Sequence, residues 1–256
     1  MADVYTALER FLKDERDAFG EFFIMERQAP KADSSPHHTH PAPVPAAGEL
    51  PMFPRMAIPA SPVTAEAWGS ATSLGDLHSQ IAGCLKCPLG QTRTTFVFGT
   101  GNPTASLMFI GEAPGADEDL QGEPFVGRAG QLLNKILEAI HLQREDVFIC
   151  NILKCRPPNN RKPIPEEVEQ CLPYLRKQIA LVRPKLIVCL GLTAAQNLLR
   201  TKESLTSLRG RVLAFEGTPL MVTYHPAALL RNPNWKRPAW EDFQAIEKYH
   251  AGSAGL

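Results

Sequence analysis

The sequence predicts a three-layer α/β/α sandwich with a mainly parallel central sheet, preceded by an N-terminal helix and a Pro-rich linker. Three observations carry that prediction. From about Leu74 onward, short β-branched apolar runs alternate with helical stretches, as repeated strand–helix units do. Runs such as Leu186–Leu190 (LIVCL) are apolar without alternation, the pattern of strands covered on both faces. Nine prolines crowd residues 30–62, where missing backbone donors and a fixed φ disfavour helix and sheet.

A chain of 256 residues, 44% apolar, is long enough for one such domain and a tail. Residues 1–29 read as an amphipathic helix, with Val4, Leu8, Phe11, Leu12, Phe19, Phe22 and Phe23 roughly on one side. This helix is a candidate for docking on a protein partner or on the main domain. Residues 30–73 read as a disordered linker, and the His37, His38, His40 cluster within it as a polar patch rather than a metal site. Residues 74–256 form the expected globular domain.

The formal charge is zero, which excludes a polybasic, histone-like protein. The zero hides an asymmetry. Residues 1–75 hold six Lys+Arg against ten Asp+Glu, and residues 76–256 hold 21 against 17. The second part is mildly basic, as a DNA-contacting domain can be. No run of about 18 apolar residues exists, so no transmembrane helix and no membrane partner are expected. The start, MADVYTALERFLKDERD, lacks a basic n-region, so a cytoplasmic location is expected. In that compartment the six cysteines are thiols or metal ligands sooner than disulfides.

The expected strands are Phe96–Phe98, Leu107–Ile110, Val147–Leu153, Leu186–Leu190, Val212–Phe215 and Leu220–Tyr224. The expected helices are Ala129–Ile140, Pro165–Leu181 and Thr193–Arg200. Ligands of open α/β sheets bind at the C-terminal ends of the strands. There the sequence places Gly111-Glu112-Ala113-Pro114-Gly115, then Asn151 followed by Lys154-Cys155-Arg156-Pro157, then His225-Pro226-Ala227-Ala228-Leu229-Leu230-Arg231. A carboxylate, a carboxamide and an imidazole thus share one sheet edge. Each alone has an ordinary explanation, and their convergence makes them candidates for catalysis. Gly99-Thr100-Gly101 opens like a dinucleotide fingerprint, but a strand follows instead of a helix, so phosphate cradling is not supported. The run Asp117-Glu118-Asp119 reads as a solvated loop or a pocket wall sooner than a metal site.

Cys84-Leu85-Lys86-Cys87 is a C-x₂-C pair in a Gly/Pro-flanked loop. Cys150 and Cys189 fall inside expected strands, as buried thiols do. Cys84, Cys87, Cys155 and Cys171 remain for one tetrathiolate site, which suits zinc and an iron–sulfur cluster equally.

Four segments together resemble the family 4 uracil-DNA glycosylases, the iron–sulfur branch of that superfamily. They are CLKCPLGQTRTTFVFGTGNP, GEAPGADEDLQGEPFVGRAGQLL, NILKCRPPNNRKP followed by Cys171, and HPAALLRNP. They occur in family order and spacing, from about Leu77 to Tyr249. The resemblance implies a [4Fe–4S] cluster held by Cys84, Cys87, Cys155 and Cys171. It implies a monomer that flips uracil out of single- or double-stranded DNA and hydrolyses its N-glycosidic bond, leaving an abasic site.

Roles follow from the resemblance and from the chemistry of uracil. Phe125 is the stacking platform. Asn151 reads O4 and N3–H, and His225 donates to O2. Backbone amides around Ala113 complete an oxyanion-type site. Glu112 is the candidate to orient water, since related branches carry Asp where this chain has Ala113. Glu118 is a candidate wall against thymine. Lys154 and Arg231 are candidate phosphate contacts, and Leu229 a candidate wedge. Two rivals are a non-catalytic iron–sulfur DNA-binding module and a relative that traps uracil covalently.

Overall fold

The computed structural model describes residues 67–253. The expected N-terminal helix, the prolines of 30–62 and the three linker histidines lie outside them. A 3₁₀ turn, Ala67–Ser70, comes first. It falls in the segment expected as linker, yet Trp68 and Ala71 are buried in the core, so packed structure begins before Leu74.

The strands are β1 (Thr100–Gly101), β2 (Leu107–Gly111), β3 (Phe148–Asn151), β4 (Leu186–Leu190), β5 (Leu213–Phe215) and β6 (Thr218–Thr223). The helices are α1 (Leu74–Ile81), α2 (Leu89–Thr92), α3 (Ala116–Gln121), α4 (Arg128–Ala139), α5 (Pro165–Val182), α6 (Leu192–Leu199), α7 (Leu205–Leu208), α8 (Pro226–Arg231) and α9 (Lys236–Ser253). Helix starts follow local chemistry. The Ser73 side chain accepts the Asp76 N–H at the head of α1, and Pro165 opens α5, where a missing N–H costs nothing.

The sheet runs β1-β3-β2-β4-β6-β5. The four inner strands are parallel, and the edges β1 and β5 pair antiparallel. β2 and β4 are buried at every residue, as their unbroken apolar runs predict. Alternate residues sort to two faces. Met108, Ile110, Cys150, Ile187, Cys189 and Val222 join one core cluster with Leu77 of α1, Leu175 of α5 and Leu198 of α6. On the other face Phe109 stacks on Phe243 of α9, with ring centroids 6.3 Å apart. The three-layer expectation therefore holds.

One expected strand does not form. Phe96–Phe98 is extended but lies outside the sheet; its one ladder-like bond runs from the Val97 N–H to the Lys154 carbonyl at 2.9 Å. The order of the inner strands reverses beside β2, because β3 lies on one side of it and β4 and β6 on the other. That reversal opens a crevice at the C-terminal strand ends.

Candidate active site and thiol centre

Gly111 ends β2 directly opposite Asn151 at the end of β3. A Cβ on Gly111 would stand 2.3 Å from Asn151 Oδ1 and 2.6 Å from Phe125 Cζ, so only glycine leaves room for both side chains. Asn151 is 2% exposed. Its Oδ1 has no hydrogen-bond partner among the described residues, a costly state for a buried acceptor.

Phe125 reaches this spot from the loop between α3 and α4 with φ +55°, a region uncommon for an aromatic residue. Two charged side chains hold the loop there. Glu118 accepts the N–H groups of Val126 and Gly127, both at 3.0 Å, and that of Gly115 at 3.1 Å. Arg144 donates to the carbonyls of Pro124 at 2.8 Å and Phe125 at 3.1 Å. One carboxylate gathers amides and one guanidinium gathers carbonyls, so the turn is held from both sides.

His225 follows β6. The strand end is tied by Asp242, which accepts from Thr223 Oγ1 at 2.7 Å and from Arg209 Nε at 2.6 Å. Gly191, at φ +96°, makes way for the imidazole: a Cβ there would stand 2.9 Å from His225 Cβ. The Phe125 and His225 ring centroids are 5.4 Å apart. His225 Nδ1 accepts the Ala227 N–H at 3.1 Å. Burial first, and the Arg231 charge second, push the imidazole pKa down to about 4. The ring is therefore neutral near pH 7. Since Nδ1 is an acceptor, its one proton sits on Nε2.

Glu112 and Ala113 continue from Gly111 and are half-buried. Arg231 is exposed at the end of α8. Three expectations fail. Lys154 is 0% exposed and its Nζ donates to the Asn151 carbonyl at 2.8 Å, so it cannot reach a phosphate. Leu229 is 2% exposed, because the α8 stripe Pro226–Leu229 turns inward, so it is no wedge. Glu118 is committed to three backbone amides and is a loop clamp rather than a wall. The rest of that acidic run is also used locally: Asp119 is buried and accepts the Thr94 N–H at 2.9 Å.

The thiol centre starts from the same β3 exit, four residues on at Cys155. Cys155 and Cys171 are buried in one core cluster, and Cys84 and Cys87 pack against it; Arg93 Nη1 also donates to the Cys84 carbonyl at 2.6 Å. The four thiols therefore converge. Among the described residues, no three His, Cys, Asp or Glu side chains are close enough to hold a single metal ion. Donors already point at the sulfurs. Arg93 Nη1 reaches Cys155 Sγ at 3.2 Å, and the Tyr174 hydroxyl reaches Cys84 Sγ at 3.2 Å. Burial raises the Cys171 pKa to about 12 and raises that of Cys155, so without a cation these thiols keep their protons.

The family model for the uracil DNA glycosylase superfamily matches residues 98–244. The chain belongs to this superfamily. A type-4 uracil-DNA glycosylase of Archaeoglobus fulgidus is 47% identical over 182 residues, which is 68% of this chain and 92% of that protein. The type-4 enzyme of Pyrobaculum aerophilum is 48% identical over 168 residues, 62% of this chain and 86% of its own. That of Sulfurisphaera tokodaii is 44% identical over 185 residues, 69% and 84%. This superfamily member is of the type-4 branch.

Sequence reasoning missed several residues of this type-4 site. Arg144 lies outside every motif, in the 3₁₀ turn Arg144–Asp146, and its sequence neighbours give no sign of the Phe125 turn it holds. Gly191 carried a weak signal, as a glycine after the LIVCL strand. Arg209 and Asp242 are 33 residues apart, so nothing local joins them.

Proposed function

We propose that this glycosylase binds a flipped uracil between Phe125, Asn151 and His225 and hydrolyses its bond to deoxyribose. The observation that carries the reading is the buried, partnerless Oδ1 of Asn151 beside an aromatic ring and a neutral imidazole. A ligand N–H is what that oxygen lacks. Uracil N3–H supplies it, while the Asn151 amide donates to O4. Cytosine, with an amine at C4 and no N3–H, mismatches both groups.

The base stacks on Phe125, at roughly 1–3 kcal/mol for such a contact. As the C1′–N1 bond breaks, negative charge grows on uracil and positive charge on the sugar. The His225 Nε2–H is free to donate to O2, where the negative charge gathers. A donor aimed at developing charge is worth more than the same bond to the ground state. Glu112, half-exposed at the same strand end, orients water toward C1′ and faces the cationic sugar. Arg231 contacts a DNA phosphate. The enzyme acts as a monomer.

The thiol set suits an iron–sulfur cluster. Four thiols gather at one place, and N–H and O–H donors aim at the sulfurs of Cys155 and Cys84, as they do around metal-bound thiolates. Cys84, Cys87, Cys155 and Cys171 would hold a [4Fe–4S] cluster, which when bound supplies a cross-link between the C-x₂-C loop, the β3 exit and α5.

The test is a single-turnover assay on uracil-containing oligonucleotides. Free uracil and an alkali-labile abasic site are expected. Binding without release would mean a non-catalytic module, and a protein–DNA adduct surviving denaturation would mean covalent trapping.

A further inference from the structure

Leu229 is turned inward, yet a larger apolar group from the same stretch of chain reaches solvent. Trp235 closes the 3₁₀ turn Pro233–Trp235 between α8 and α9 and is 40% exposed. Among the described residues it is the one aromatic side chain of the exposed large hydrophobics. Its indole lies on the Tyr224 ring, with centroids 5.2 Å apart and planes 20° from parallel. The Arg209 guanidinium packs over the same tyrosine, 4.4 Å from the ring centroid. Arg209 is fixed in turn. It donates to Asp242 through Nε at 2.6 Å and Nη2 at 2.9 Å, to the Tyr224 hydroxyl at 3.3 Å and to the Pro238 carbonyl. The stack is thus anchored on both sides of Trp235, by the end of β6 and by the start of α9.

A ring held flat on a neighbour offers one bare face. A wedge between stacked bases uses both faces, whereas a platform uses one. The platform adjoins the base pocket. Tyr224 and His225 are consecutive, about 3.8 Å apart between Cα atoms, and the chain leaves His225 through α8 and returns to lay Trp235 on Tyr224. The surrounding charge suits a polyanion. Arg231 and Arg237 are exposed, and the buried Asp242 is committed to Arg209 and Thr223. Arg237 faces Glu241 at 3.5 Å with both side chains mostly in water, a pair too weak to withhold it from a phosphate.

We propose that the outward face of Trp235 takes an unpaired nucleobase of the substrate strand, next to the flipped uracil. This rests on the glycosylase reading above and names a second contact with the same DNA. Every base has a π-face, so the platform tolerates any sequence. A base inside a duplex has both faces covered, so the platform favours strands that are single or locally opened. Arg231 and Arg237 hold nearby phosphates. Trp235 touches no reacting atom; it sets which strands are bound.

The experiment uses the full-length protein and oligonucleotides carrying one uracil, single-stranded or in a duplex. Uracil release by the wild type comes first and judges the glycosylase reading; no release overturns that reading and this proposal with it. Wild type, Trp235→Leu and Trp235→Phe are then compared in single turnover, for the half-saturating protein concentration and the limiting rate. In Trp235→Leu the half-saturating concentration on single strands should rise about 5- to 150-fold, the range for loss of one base–aromatic stack. The rise should be smaller on the duplex, the limiting rate should change far less, and Trp235→Phe should recover most of the loss. The DNA supplies the other half of the test and needs no variant. Deleting the base on the 5′ or the 3′ side of uracil, with its sugar kept, should weaken the wild type by a similar factor on one of the two sides. The same deletion should weaken Trp235→Leu far less, since both changes remove one contact. Wild-type saturation in Trp235→Leu, equal losses on single strand and duplex, or additive losses with both base-deleted strands would each overturn the platform alone.

Discussion

The candidate base pocket around Asn151 and the thiol centre share the exit of β3, and they treat polar groups in opposite ways. In the pocket, Asn151 Oδ1 is left without a partner among the described residues, and His225 accepts the Ala227 N–H at Nδ1, which leaves its proton on Nε2. At the thiol centre, donors from Arg93 and Tyr174 already aim at sulfur. A site for a ligand that comes and goes keeps its hydrogen bonds open. A site for a resident group builds its surroundings in advance. The cost of the open pocket is met by stiff support: Glu118 and Arg144 hold the Phe125 turn, and Asp242 holds the end of β6.

If the two sites are distinct in this way, substitutions should separate them. The largest effect is expected at His225. Removing the donor in His225→Ala should lower the single-turnover rate about 10²- to 10³-fold, with iron and sulfide content unchanged. The pH profile sharpens the point. With a folded pKa of about 4 against about 6.5 unfolded, the rate should be flat above pH 6 and fall as pH drops through 4. The sign for stability is the same. The unfolded chain takes up the proton first, so this contribution is whole above 6.5 and is lost as pH falls toward 4. A rate that rises on acidification would break the neutral-imidazole argument.

Asn151 comes next. Asn151→Ala leaves uracil edges unpaired at about 1–3 kcal/mol per lost partner. Asn151→Asp is the sharper probe: a carboxylate accepts from the amine of cytosine and repels O4 of uracil. The ratio of cytosine to uracil excision on single strands should rise. An unchanged ratio with near-normal uracil release would mean that Asn151 does not read the base.

A third prediction strikes the other site. Cys155→Ala should lose iron and lower the melting temperature, whereas Cys189→Ala should keep iron and cost about 1 kcal/mol for a small cavity. Equal effects would mean that the four thiols are no unit. The smallest effect is expected at the N-terminus. Removal of residues 1–60 should leave oligonucleotide activity intact. A start at Leu74 should cost about 3 kcal/mol, because it deletes Trp68, which sits edge-on to Tyr174 at 4.9 Å. Thermal melts of the two truncations check this.

The legible part of the site was its strand ends. Glu112, Asn151 and His225 follow apolar runs, and a parallel sheet must bring such positions to one edge. The placing of Cys150 and Cys189 in strands was legible too, from the apolar runs around them. Lys154 was misread because a lysine in a polar-looking run gives no sign that Val97, Cys171 and the sheet close over it. Leu229 was misread because a short helix does not announce which of its faces turns inward.

By itself, the sequence determined where strands and helices form and which residues reach the C-terminal edge, because periodicity, proline and glycine act over a few residues. No helix of the described residues is long and apolar enough to cross a membrane, as composition already required. Only the tertiary structure decided what holds Phe125 in its left-handed turn, which tautomer His225 adopts and that Lys154 is buried. Those outcomes depend on partners tens of residues away, Arg144 nineteen residues from Phe125 and Arg93 sixty-two from Cys155. Hydrogen bonds and burial at that range are set by packing, and packing has no local signature.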